Sequence, residues 1–129
     1  MSVDVQAESQ PVARPGSLRD IRVLAVDDHD AFREVLRELI AAAPGFALVG
    51  QARSGEEAVH AVEGLKPELV LMDVGMPGMG GIAATRTILS RRPEVMVLLI
   101  SVDDPALHPD VSALRDRVVC ARKQDLRPR

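Results

Sequence analysis

The chain has no tryptophan, no tyrosine and only two phenylalanines among its 129 residues. Its core must therefore be built from Leu, Val, Ile, Ala and Met, and single-stranded nucleic acid finds no row of rings on which bases could stack. Cysteine is almost missing too. Cys120 stands alone, so no disulfide can form within the chain, which fits a reducing compartment. No apolar run approaches the roughly 20 residues needed to cross a bilayer. An excess of positive charge is also absent, and a formal net charge of −3 gives no general attraction to polyanions. The opening residues, MSVDVQAESQPVARPGS, lack a basic segment followed by an apolar one and are no secretory signal. Basic residues near the C-terminus (Arg115, Arg117, Arg122, Lys123, Arg127 and Arg129) are diluted by Asp110, Asp116 and Asp125 and read as a solvated surface. These absences predict a cytoplasmic chain with no membrane segment and no direct contact with nucleic acid.

With 47% apolar and 27% charged residues, the chain has the balance of one globular domain. Residues 1–18 are rich in Pro, Ser, Gln and Gly and predict a disordered lead-in, with the folded domain over 19–129 and no further domain in this chain. From Ile21 the pattern alternates. IRVLAV (21–26) predicts a strand, and Phe32, Val35, Leu36, Leu39, Ile40 and Ala43 recur at helical spacing before Pro44-Gly45. FALVGQA (46–52) predicts a second strand. Ser54-Gly55-Glu56-Glu57 has the form of a capping box, ahead of Ala58, Val59, Val62 and Leu65 on one helical face. ELVLMD (68–73) reads as a strand, GIAATRTILSRR (81–92) as a helix stopped by Pro93, and EVMVLLIS (94–101) as a fourth strand. Pro105 and Pro109 leave room only for a short helix starting near Pro109, and RVVCA (117–121) predicts a fifth strand. Strands alternating with helices predict a doubly wound, five-stranded parallel sheet with helices on both faces.

In such folds chemistry gathers at the carboxyl ends of the strands. Asp27 and Asp28 follow the first strand, Asp73 ends the third, Ser101 ends the fourth, and Lys123 lies just past the fifth. Each residue alone has an ordinary explanation: an N-cap for Asp27, Asp28 or Asp30, a turn for Asp73, a backbone-bonded hydroxyl for Ser101, a solvated amine for Lys123. Their convergence on one edge has none. Carboxylates about 4 Å apart repel by roughly 4 kcal/mol at an effective dielectric near 20, so the cluster favours a hard cation, and oxygen-only ligands suit Mg²⁺. A cation, carboxylates, a hydroxyl and an ammonium are the parts of an in-line phosphoryl transfer, with the central Asp73 as nucleophile. His29, His60 and His108 are scattered and read as surface residues, while Met72, Met76 and Met79 read as packing beneath the site.

The segments VLAVDDHDAFREVLRELI, LVLMDVGMPGMGG and LLISVDD, with the single Lys123, resemble a bacterial response-regulator receiver domain of the NarL/FixJ type, from Ile21 to about Lys123. The resemblance implies a flavodoxin-like receiver fold in two-component signal transduction. By position it implies Asp73 as the phosphorylated aspartate and Asp28 as a direct Mg²⁺ ligand. Asp27 would assist at the cation, and the backbone carbonyl of Gly75 would complete its protein ligands. Ser101 would hydrogen-bond the phosphoryl group and Lys123 would pair with it. A sensor histidine kinase is the implied phosphodonor, with an output domain or partner protein as the regulated element and a monomer or weak dimer as the state of assembly. Several features depart from the family pattern. Asp116 to Cys120 replaces the usual Gly-rich, aromatic-ended run, Gly80 stands where an acidic residue is usual, and the last helix is absent or truncated. These departures raise an alternative, a receiver-like binding module that works without phosphorylation. A phosphatase acting on external substrates is disfavoured, because its two acids would share one loop.

Overall fold

A computed structural model describes residues 19–104, 108–114 and 116–126. The lead-in expected over residues 1–18 lies outside the described residues. The chain runs β1 (Ile21–Val26), α1 (Asp30–Ala41), β2 (Phe46–Ala52), α2 (Gly55–Leu65), β3 (Leu69–Asp73), α3 (Gly80–Arg91) and β4 (Met96–Ser101). A 3-10 helix (Pro109–Leu114), β5 (Val118–Arg122) and a 3-10 turn (Lys123–Asp125) follow. The strands form one parallel sheet in the order β2-β1-β3-β4-β5. This is the doubly wound, flavodoxin-like order, whose direction of winding reverses between β1 and β3.

Local chemistry sets the element ends. At the start of α2 the Ser54 hydroxyl accepts the Glu57 N–H at 3.0 Å. The Glu57 carboxylate reaches back to the Arg53 N–H at 2.7 Å, one residue earlier than the usual reciprocal partner. Lys66 ends that helix with a left-handed backbone, φ 51°, and Pro67 prevents its continuation. Gly45, φ 87°, makes the turn between α1 and β2, and its carbonyl accepts the Ile21 N–H at 2.8 Å.

Alternation along the strands divides the core between two faces. Leu24, Val26, Val70, Met72, Val97 and Leu99 pack with Ala58 and Val62 of α2, with Ile82 and Ile88 of α3, and with Val111 and Leu114 of the 3-10 helix. Val23, Ala25, Leu71 and Ile100 point the other way and pack on Leu36 and Ile40 of α1. On that face α1 stands alone among the described helices, and Met96 and Val119 are left 61% and 58% exposed.

Several element boundaries differ from the sequence pattern by one or two residues, β3 and α3 by one each. β4 begins at Met96 rather than Glu94, because Val95 N–H bonds back to the Arg92 carbonyl in a turn and the ladder starts only with Met96 N–H on the Glu68 carbonyl. β5 lies one residue later than expected, since Arg117 N–H closes a turn onto the Leu114 carbonyl. The short helix at Pro109 forms as a 3-10 helix. After β5 the described chain makes one 3-10 turn and no α-helix. No described helix is long and apolar enough to cross a membrane.

Candidate functional site

Asp27 follows β1 directly and Asp73 closes β3, so both stand at the carboxyl edge beside the winding switch. Each is almost fully buried, at 0% and 3% exposure. Lys123 enters from beyond β5. Its Nζ lies 2.8 Å from Asp27 Oδ2 and 3.5 Å from Asp73 Oδ1, and it sits 4.5 Å above the centre of the Phe32 ring. One ammonium thus faces two buried carboxylates and an aromatic face. Its acidity reflects that setting. Burial alone would lower the lysine pKa, but the hydrogen bond to Asp27 and the charges of Asp73 and Asp27 prevail and raise it.

Asp73 shows the complementary effect. Burial first, and the charge of Asp27 second, push its carboxyl above the ordinary range, while Lys123 and the Gly75 N–H pull it down without cancelling the rise. Asp73 Oδ2 and Asp28 Oδ1 are buried oxygens that accept no hydrogen bond among the described residues. Buried oxygens of this kind carry a desolvation penalty that a cation relieves, and a set of carboxylate oxygens matches the preference of Mg²⁺. The donors present therefore fit that ion.

Ser101 ends β4, one residue past Ile100, the register partner of Asp73, and pairs with Arg122 immediately before Lys123. The fold therefore brings Asp27, Asp28, Asp73, Ser101 and Lys123 to one edge. Gly75 is exposed just beyond β3 and contributes its N–H to Asp73; the family resemblance implies its carbonyl as a cation ligand. Gly81 matters for another reason. It packs so tightly on the backbone carbonyl of Asp73 that a Cβ there would collide with it. The start of α3 therefore holds the Asp73 peptide in place.

The match to known proteins follows the same outline. The family described as response regulator receiver domain matches residues 23–113. The chain belongs to the response regulator receiver family. As a receiver it is 48% identical over 87 residues to the response regulator GacA of Pseudomonas viridiflava, a match covering 66% of this chain and 41% of that protein. The chain thus spans about two fifths of the length of that regulator. Among solved structures, the response regulator domain of Thermotoga maritima CheB is 37% identical with a TM-score of 0.70, covering 79% of this chain and 76% of that one. The signal receiver domain of the putative response regulator NarL from Mycobacterium tuberculosis is 29% identical with a TM-score of 0.71, covering 82% and 86%. Receiver domains serve phosphorylation-mediated two-component signalling, interact with histidine kinases and output domains, and bind Mg²⁺ in their acidic pocket.

Three residues of this receiver's site escaped the sequence reading. Helical spacing marks Phe32 only as a helix-face residue, yet its ring carries Lys123. Arg33 donates from Nη1 to the Asp27 carbonyl at 2.8 Å and pairs with Asp30, which ties α1 to the end of β1. Their spacing, one helical turn after Asp28, was the available signal. His29 is exposed, as its place in the sequence suggests, but its Nδ1 lies 3.1 Å from Asp27 Oδ1 and 3.2 Å from Asp28 Oδ1.

Proposed function

We propose that this receiver accepts a phosphoryl group on Asp73 from a sensor histidine kinase and so regulates an output domain or partner protein in the cytoplasm. The observation that carries the reading is Lys123 Nζ lying within 3.5 Å of both Asp27 and Asp73 at the carboxyl edge of the sheet. An Asp73 carboxylate oxygen attacks phosphorus as the bond to the kinase imidazole nitrogen breaks, leaving an acyl phosphate and a freed imidazole. Lys123 neutralises a phosphoryl oxygen, and the Ser101 hydroxyl donates to another. Asp27, Asp28, Asp73 and the Gly75 carbonyl would hold Mg²⁺, which would supply positive charge to offset the carboxylate and phosphoryl oxygens. Arg33 and Gly81 position the backbones of Asp27 and Asp73. The chain is proposed as a phosphoryl acceptor that promotes its own phosphorylation and dephosphorylation, not as an enzyme for external substrates. As a unit it spans residues 19–129 and works as a monomer or weak dimer.

The test is intact mass after incubation with Mg²⁺ and acetyl phosphate. One added phosphoryl group is expected, absent in Asp73→Asn and removed by hydroxylamine. An adduct that persists in Asp73→Asn would overturn the assignment.

A further inference from the structure

Beside the oxygens just described stands a nitrogen that the proposed Mg²⁺ site does not use. His29 Nδ1 faces Asp27 Oδ1 at 3.1 Å and Asp28 Oδ1 at 3.2 Å, and one donor atom from each of the three residues lies within 4.8 Å of the others. Two ligand atoms bound to one ion at about 2.1 Å stand about 3.0 Å apart at octahedral angles and about 3.4 Å apart at tetrahedral ones. Both separations to Nδ1 fall in that interval.

The three atoms are also incompletely satisfied. Asp27 Oδ1 accepts the His29 backbone N–H at 2.8 Å and faces the ring nitrogen. Asp28 Oδ1, although 3.2 Å from the same nitrogen, is a buried atom that accepts no hydrogen bond among the described residues. A single ring hydrogen cannot serve two carboxylates at once, whereas a cation in its place is shared among several ligand atoms. Next to them, Asp73 is 97% buried and its Oδ2 likewise accepts no hydrogen bond among the described residues. That buried, unsatisfied carboxylate points independently to a cation at this edge.

We infer that His29 makes this acidic pocket a binding site for a borderline first-row divalent ion, of the Co²⁺ or Zn²⁺ class, through imidazole Nδ1 and the carboxylates of Asp27 and Asp28. The inference rests on the cation-binding role proposed above and adds a nitrogen ligand to it. Imidazole contributes little to binding Mg²⁺, which prefers oxygen, and much to binding Co²⁺ or Zn²⁺. The ring reaches the pocket from the N-cap of α1, where its side chain makes no cap bond and is free to serve as a ligand. It is 68% exposed, so an ion can enter beside it and substitution leaves the core untouched.

The experiment titrates the full chain, His29→Ala and Asp28→Ala separately with Co²⁺ and Mg²⁺. Co²⁺ is followed by its visible absorption and by paramagnetic shifts of the histidine ring resonances, and Mg²⁺ by calorimetry. His29→Ala is expected to weaken Co²⁺ by about tenfold or more, the scale on which metal sites lose affinity when a supporting group is removed. The same variant leaves Mg²⁺ affinity within about twofold, and in the wild type the shifted ring is that of His29. Equal Co²⁺ affinity in wild type and His29→Ala, with Mg²⁺ binding to both, overturns the inference and leaves the oxygen site standing. If Asp28→Ala binds both ions as tightly as the wild type, the cation site itself is misplaced and the inference falls with it.

Discussion

Asp73 and Lys123 pull the stability of the fold in opposite directions. The Asp73 pKa is raised by burial and then by Asp27, so the folded state holds that proton more firmly than the unfolded chain does. Stability contributed at this residue is therefore greatest at low pH and declines as pH rises from the ordinary carboxylate range through the raised pKa. In metal-free buffer near neutrality Asp73→Asn should be the more stable protein, by about 1 kcal/mol or about 4 °C in melting midpoint, and it should lack that pH-dependent decline. Thermal melts across the acid range check this, and an identical pH dependence in the two proteins would reject it. Lys123 has a raised pKa for the opposite reason, because the carboxylates favour its charge. Its contribution is complete below the ordinary lysine pKa and is lost only as pH climbs through the raised one. Lys123→Met leaves Asp27 and Asp73 buried without their cation and should cost about 3 kcal/mol in metal-free buffer. Added Mg²⁺ should recover part of that loss, as read by chemical denaturation. A loss that Mg²⁺ leaves unchanged would mean that the lysine acts by packing on Phe32 rather than by charge.

At the scale of elements, what was legible in the sequence was what rests on local rules. The capping box at Ser54 is one example, and Ser54→Ala should cost about 1 kcal/mol of stability without altering the cation site, measurable by denaturation alongside a Mg²⁺ titration. Apolar period and turn residues likewise gave every strand and helix to within a residue or two, and alternation of strands with helices gave the parallel sheet. The convergence of Asp27, Asp73, Ser101 and Lys123 followed once the strands were ordered. The misses depend on geometry between elements. The start of β4 shifts because the Glu68 carbonyl, on a neighbouring segment, captures the Met96 N–H. Phe32 lies under Lys123 only because α1 and the residues after β5 meet on one side of the sheet. His29 reads as surface from its exposure, and its aim toward two carboxylates depends on the bend between β1 and α1. Spacing places Phe32 one helical turn after Asp28 but does not itself record any of these three contacts.

Among the described residues the sheet is covered unequally, with α2, α3 and the 3-10 helix on one face and α1 on the other. A phosphoryl group at Asp73 shifts the protein between two states only by interacting differently with each. The elements that would carry such a difference away from the site are β4, β5 and the 3-10 helix between them. Cys120, opposite Leu99 on β5, is a small, half-buried side chain packed against the core, and its thiol pKa is raised by burial first and then by Asp104. It stays a neutral packing group and has no ring to exchange between an inward and an outward position. The 3-10 helix is seated through Val111 and Leu114, and its single short segment offers little surface to repack. Among the described residues the exposed large apolar side chains are Ile21, Met96, Val102 and Val119, far short of the roughly 800 Å² per partner in a stable interface. A beryllofluoride phosphate mimic with Mg²⁺ should therefore move amide resonances around Asp73, Ser101 and Lys123 and leave most of residues 109–122 unchanged. Sedimentation should show the same monomer before and after. A robust activated dimer, with large shifts running through the 3-10 helix and β5, would mean that this receiver transmits its signal through that face despite lacking the aromatic side chain.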